Sequence, residues 1–373
     1  MFGGRTRSAR RAGSPRVLGP VASRDWARPF VYWAHTKCSP AAVALDELPV
    51  SRADRERVAH GKCRASPAGL SRAAGAQGGT RTDVTADKRQ LENRVVLITG
   101  ATSGIGLATA TALARAGARV VMVSRDPRRG ESVRAAINRQ TGSDQLEVMQ
   151  ADLASLDSIR ALAQGFLAAH ERLDVLINDA GVFEPHRRLS ADGIEMTLAV
   201  NLVAPFLLTS LLLERLRQSA PSRIVNVCSA MQASASLDLD DLQFERRPYR
   251  MTQSYGQSKL ALLMVTKELA RRLQGTGVTV NAAHPGWVAT NLGNFGGLVG
   301  FGWRAMRPFM ISPEEGAKTS VYLALSPEAT GFSGGYFAKQ KRAPSNPIAE
   351  DPSLAARLWD TLESLVRAKA HAK

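Results

Sequence analysis

From residue 94 onward, short β-branched runs alternate with longer segments whose apolar positions recur at helical spacing. "RVVLITG" (Arg94–Gly100), "RVVMVSR" (Arg119–Arg125), "QLEVMQADL" (Gln145–Leu153), "LDVLIND" (Leu173–Asp179), "SRIVNVCS" (Ser222–Ser229) and "GVTVNAAHPG" (Gly277–Gly286) read as six buried strands. Helical segments separate them. "GIGLATATALARAGA" (Gly104–Ala118) is closed by Gly117, and "PRRGESVRAAINRQTG" (Pro127–Gly142) opens on Pro and ends on Gly. Strands alternating with helices mean right-handed βαβ units. Residues 90–340 are therefore expected to form one doubly wound α/β domain, a parallel sheet with helices on both faces. "DPSLAARLWDTLESLVRAKA" (Asp351–Ala370) predicts an amphipathic helix in the C-terminal tail, 341–373.

Residues 1–89 show no such periodicity. They are rich in Arg, Ala, Gly, Ser and Pro, and stretches such as Arg5–Arg16 and Ser66–Thr82 read as disordered. Charge follows the same boundary. Residues 1–90 hold 17 of the 49 basic and 7 of the 33 acidic side chains, so most of the net +16 belongs to this segment. The folded body is close to balanced, which argues against nucleic acid as its partner. Three origins fit the extension: a targeting peptide, since the first 24 residues hold six Arg and no acid; a basic arm for polyanions; or upstream codons read through from an early start, with Val84 as the natural beginning. The abrupt change in composition favours the third.

Cys38, Cys63 and Cys228 match neither a disulfide framework nor a zinc spacing, so no metal is expected and a reducing, cytoplasmic setting fits best. The most apolar stretch, Asn201–Leu216, includes Asn201, Thr209 and Ser210 and ends in charge. It predicts a buried helix rather than a membrane span.

The first strand runs into "TGATSGIG" (Thr99–Gly106). Gly100 permits a tight turn, Gly104 lets backbone approach a pyrophosphate, and Gly106 lets the helix pack against the sheet. A glycine triad after a strand and opening a helix predicts a Rossmann-type dinucleotide site. The second strand ends "VSRD". Ser124 is neutral and Arg125 cationic, which suits a 2′-phosphate and hence NADP(H); Asp126 follows at once, and NAD(H) stays open.

With these motifs in order, the chain resembles the short-chain dehydrogenase/reductase family over about residues 90–340, and within it the retinol-dehydrogenase-like and protochlorophyllide-reductase-like branch. "TGATSGIG" matches the cofactor loop, Asp152–Leu153 the acidic adenine contact, and "NDAG" (Asn178–Gly181) the NNAG segment with Asp179 in place of its second Asn. Ser229 fits the active-site serine, and Tyr255 with Lys259 fits YxxxK. "HPGWVAT" (His284–Thr290) resembles the segment lining the nicotinamide. The resemblance implies Asn201, Ser229, Tyr255 and Lys259 as catalytic residues, with Asn201 holding a water that relays protons to Lys259. It implies cofactor contacts from Gly100, Ser103, Gly104, Ile105, Gly106, Ser124, Arg125, Asp152, Leu153, Asn178, Ala180, Gly181, Tyr255, Lys259, Pro285, Gly286, Val288 and Thr290.

The chemistry agrees with that pattern. Four residues on a helix bring Lys259 to the face of Tyr255, where a cation favours the phenolate of a side chain whose free pKa is about 10. Ser229 would fix the substrate oxygen. His284 and Cys228 read as structural. The loop Leu237–Gln253 is expected to lie over the site or to be a plain surface excursion, and Trp287–Ile311, Gly-rich with Trp287, Phe295, Phe301, Trp303, Met306, Phe309 and Met310, to act as an apolar lid or to pack into the core or a subunit interface. A hydrophobic carbonyl or alcohol substrate is expected. The helices at Asn201–Leu216 and Ser254–Gln274 are candidates for a homodimer or homotetramer contact. The rival from another class is a nucleotide-sensing regulator that binds NADP(H) without turnover; intact Ser229, Tyr255 and Lys259 argue against it.

Overall fold

A computed structural model describes residues 91–288 and 310–368. The extension 1–89, Thr290 and most of the expected lid lie outside the described residues. The six expected strands are present as β1 (Val95–Thr99), β2 (Arg119–Ser124), β3 (Leu146–Gln150), β4 (Val175–Asn178), β5 (Ser222–Val227) and β6 (Val278–His284). Two more, β7 (Tyr336–Ala338) and β8 (Lys341–Arg342), extend the sheet. The order is β3-β2-β1-β4-β5-β6-β7-β8, parallel throughout except for the antiparallel β7–β8 pair. Strand order reverses between β1 and β4, which opens a crevice beyond their carboxyl ends.

Alternation along β1 shows how the layers are built. Val96 and Ile98 face one apolar cluster with helices α1 (Gly104–Arg115), α2 (Pro127–Thr141) and, further along the chain, Pro313–Leu325. Val95 and Leu97 face the other, with α3 (Leu156–Ala169), α4 (Ala204–Gln218) and α5 (Met251–Arg272). Pro313–Leu325 is α6 and Pro352–Ala368 is α7. Both faces of a parallel sheet must be covered, which is why its strands lack polar alternation.

The apolar run Met196–Gln218 is long and hydrophobic enough to cross a membrane by composition, with a mean hydropathy of 2.0. Here most of it is inside the protein: Leu202, Leu208, Leu212 and Leu216 are completely buried.

α7 lies against α5. Trp359 packs edge-on to Phe206 of α4 with centroids 4.8 Å apart, and the Arg272 guanidinium sits 4.3 Å above the indole. Part of the α4–α5 surface suited to a subunit contact is thus covered by the chain's own helix. Trp359→Ala should cost about 3–5 kcal/mol of stability in urea unfolding. Ser364→Ala, on the exposed side of the same helix, should cost less than about 0.5 kcal/mol.

Candidate active site

β1 delivers the chain into the crevice, and Gly100 turns it with φ of +71°. A side chain could not stand there: a Cβ on Gly100 would lie 2.8 Å from the Ala180 backbone nitrogen. A Cβ on Gly106 would strike the Gly100 carbonyl and approach Asp179 Oδ2 to 2.6 Å. The ends of β1 and β4 are further tied by Thr99 Oγ1, which accepts the N–H groups of Asp179 (3.1 Å) and Ala180 (3.2 Å). α1 then begins at Gly104 with Ser103 at its N-cap, and the Ser103 side chain makes no capping hydrogen bond. Ser103 thus does not take up the first N–H groups of α1, an arrangement that favours an anion.

These elements bound a cleft of about 490 Å³. Of the residues singled out in the sequence, Gly100, Ser103, Gly104, Ile105, Ser124, Arg125, Asp152, Leu153, Ala180, Gly181, Tyr255, Lys259 and Pro285 line it. Others stand behind the wall. Asn178 gives its amide to Thr209 Oγ1 (3.2 Å) and Asn226 Oδ1 (2.8 Å) inside the fold. Gly106 is under the loop. Gly286 and Val288 pack toward Ile311 and Gly316. Val182, Glu184, Arg188, Met196 and Val200 also line the cleft and carry no sequence motif. A larger cavity of about 640 Å³ opens at the opposite edge of the sheet, but its arginines are committed: Arg94 to Asp174, and Arg223 to the Leu323 and Ser326 carbonyls.

The side chains expected to handle protons, Tyr255 and Lys259, meet at the inner end of the cleft. Tyr255 is buried and tilted against Phe183 with centroids 4.7 Å apart, and Ser229 is near enough to act on its phenol. Lys259 Nζ lies 5.8 Å from the Tyr255 ring centroid and donates to the Val227 carbonyl at 2.8 Å. Burial pushes the phenol up to about 12, with Cys228 and Asp179 adding to the rise and Ser229 opposing it. In the protein alone, desolvation is the largest influence on the phenol. Lys259 is itself lowered by burial. Burial also pushes the Cys228 thiol up to about 12, so it is an inert core group. His284 stacks on Tyr336 and its Nδ1 accepts the Gly286 N–H at 3.4 Å, a structural role.

Asn201 sits completely buried in a π-helical turn, Ala199–Val203, that leads into α4. Its Oδ1 accepts the Val182 N–H (2.8 Å), and its Nδ2 donates to the Val182 carbonyl (3.0 Å) and Ser258 Oγ (3.1 Å). A Cβ on Gly181 would be 3.4 Å from Asn201 Oδ1 and 3.6 Å from Lys259 Nζ, so the two side chains converge on that glycine. The turn is anchored by a residue that the motifs miss, Glu195. It is completely buried, and its carboxylate accepts the N–H groups of Thr197 and Leu198 and the Ser254 hydroxyl. Inserted π turns recur at functional sites and leave no signature in apolar spacing.

The loop Leu237–Gln253 does not cover the cleft. Asp241 folds it onto itself: burial would raise this carboxyl, but the N–H groups of Glu245, Arg247 and Arg246 and the Arg247 guanidinium bring it down to about 2. The loop touches only the rim, where Tyr249 donates to the Glu184 carbonyl at 3.0 Å.

Residues 94–295 match the short chain dehydrogenase family. The chain belongs to that family. Human retinol dehydrogenase 12 is 46% identical over 73% of this chain and 85% of its own length. Human retinol dehydrogenase 13 is 42% identical over 76% of this chain and 87% of its own. A short chain dehydrogenase from Burkholderia cenocepacia solved in complex with NADP is 28% identical, covers 67% of this chain and 97% of that one, and has a TM-score of 0.55. The protein is an NAD(P)-dependent oxidoreductase acting on CH–OH groups.

At the outer end of the dehydrogenase's cleft, Ser124 Oγ donates to the Asp126 carbonyl at 2.7 Å. The Asp126 carboxylate caps α2 through the N–H groups of Arg128 (2.9 Å) and Arg129 (3.4 Å). Arg125 is exposed on the cleft wall. Arg129 reaches across from α2 to the Thr102 carbonyl at 3.4 Å, a second cation that the sequence motifs did not single out.

Asp179 carries a testable pH dependence. Burial raises its carboxyl to about 7, against the pull of Lys259 and the Gly106 backbone. The unfolded chain releases this proton near 3.8 and the folded one only near 7, so the folded state binds more protons between those values. Stability from this group falls as pH rises through that window. The Tm of Asp179→Asn relative to wild type should therefore be more favourable at pH 8 than at pH 4; an equal difference at both would contradict the assignment.

Proposed function

We propose that the protein is an NADP(H)-dependent reductase of a long, apolar carbonyl compound of the retinoid type, and that Tyr255 is its acid/base. The observation that carries this reading is the meeting of three groups in one cleft: the Tyr255 phenol, the Lys259 ammonium, and the start of α1 that Ser103 leaves uncapped. The glycine cradle, too tight for any Cβ, fits a dinucleotide's pyrophosphate, with Arg125 and Arg129 beside its ribose end. The nicotinamide supplies or accepts the hydride.

The chain's own groups handle the proton. Ser229 holds the substrate oxygen and Tyr255 donates to it. With its pKa pushed up to about 12, the phenol keeps its proton at neutral pH, which suits carbonyl reduction. Lys259 and Asn201 lie behind Tyr255, where they support its reprotonation. Apolar wall residues such as Val182, Met196 and Val200 suit a hydrophobic substrate, and the retinol dehydrogenases similar to this chain support that class. Asp126 spends its carboxylate on α2, so no acid remains at this strand end to select a free 2′-hydroxyl.

Turnover is tested by following NADPH oxidation with all-trans-retinal and a panel of apolar aldehydes and ketones. Tyr255→Phe should lose at least about a thousandfold in kcat, the scale of a general acid, while NADPH affinity stays within about twofold. Comparable wild-type and mutant rates would falsify the role. Arg125→Ala should weaken NADPH about tenfold or more, the loss of a charge-assisted hydrogen bond, and leave NADH nearly unchanged in fluorescence titrations. Equal weakening of both cofactors would mean that Arg125 does not read the phosphate.

A further inference from the structure

Asp179 is a carboxyl group where the NNAG pattern has an amide, and the proton transfer proposed above makes no use of it. Its Oδ1 is enclosed and has no hydrogen-bond partner. Its Oδ2 stands 2.6 Å from where a Cβ on Gly106 would lie, in the first turn of α1, and the Gly106 backbone pulls its carboxyl down. Asp179 also lines the cleft.

The groups around it come from each neighbouring element. From α5 come the Lys259 ammonium and the Tyr255 phenol, both electrostatically linked to it. The end of β5 brings the Cys228 thiol, which acts on the same lysine and tyrosine. α1 brings the Gly106 peptide, and β1 the Thr99 hydroxyl, which is already taken by the Asp179 and Ala180 N–H groups. Lys259 does not neutralise the carboxylate by direct contact; its hydrogen bond goes to the Val227 carbonyl.

The reading of the cleft as a dinucleotide site, on which this inference rests, sends the pyrophosphate to the same first turn of α1. One helix end carries about half a positive charge. An ionised Asp179 and two phosphates would share it in a poorly solvated place, and like charges there drive a carboxyl to its neutral form. A protonated Asp179 removes the repulsion and gains an O–H donor.

We propose that Asp179 is a positioning residue that must carry a proton for the dinucleotide's phosphates to settle on α1, so that cofactor binding takes up one proton from solvent. Burial already holds the carboxyl near 7, where a modest additional field completes its protonation.

The test is NADPH binding to the full-length protein between pH 7.5 and 9, by fluorescence and by calorimetry in buffers of different ionisation heat. In that range the cofactor's own 2′-phosphate, with a pKa of about 6, has finished titrating. Wild-type Kd should rise by a factor approaching about ten per pH unit, as linkage to one proton requires, and calorimetry should count one proton taken up per NADPH. Asp179→Asn should bind with a flat profile and no uptake. Wild type that binds with constant affinity and no uptake overturns the proposal, and so does a variant that keeps the wild-type slope. If Asp179→Asn fails to fold, the wild-type proton count still decides. Wild type that binds no NADPH at any pH overturns the dinucleotide reading itself, and this role with it.

Discussion

Backbone meeting backbone is the constraint on which the site depends. Gly100 approaches the Ala180 nitrogen more closely than any Cβ permits, and Gly106 fits beneath the Gly100 carbonyl. This contact joins the ends of β1 and β4 at the point where strand order reverses. It sets the direction of α1, the floor of the cleft and the place of Asp179. Thr99 holds the junction with a single hydroxyl that accepts two successive N–H groups. Loosening it would displace the start of α1 and the Ala180 end of β4 together.

The second determinant is desolvation. Tyr255, Lys259, Cys228 and Asp179 lie close together with little access to water, and burial is the leading influence on each. Phenol, thiol and carboxyl are driven toward their neutral forms, and the ammonium is weakened. Groups in this condition respond strongly to any charge brought beside them.

The six strands and the glycine loop were legible because β-branched runs and glycine spacing are local signals. Asp351–Ala370 was legible as a helix for the same reason. β7 was not: Tyr336–Ala338 is only three residues long and follows "SGG", and pairing with β6 rather than propensity makes it a strand. Tyr255, Lys259 and Ser229 were legible through their motif, but the direction of the Tyr255 shift was not, since it depends on burial that spacing does not encode. Arg129 escaped because its contact is set by the tertiary fold, and Glu195 because it caps a turn that apolar spacing does not reveal. The loop Leu237–Gln253 read equally as a cover for the site or as a plain surface excursion, because its charges do not disclose their partners. One of them, Asp241, is in fact its buried hub.

β8 has a consequence for how the molecule behaves in a crowded solution. A wide parallel sheet leaves an open border of unpaired N–H and C=O groups, a template on which another chain could polymerise. Here the last strand turns back antiparallel, lasts two residues, and consists of Lys341 and Arg342, both exposed. So brief a cationic border offers little register to an incoming strand and repels a second copy of itself. The fold thereby ends its sheet in a form that resists aggregation.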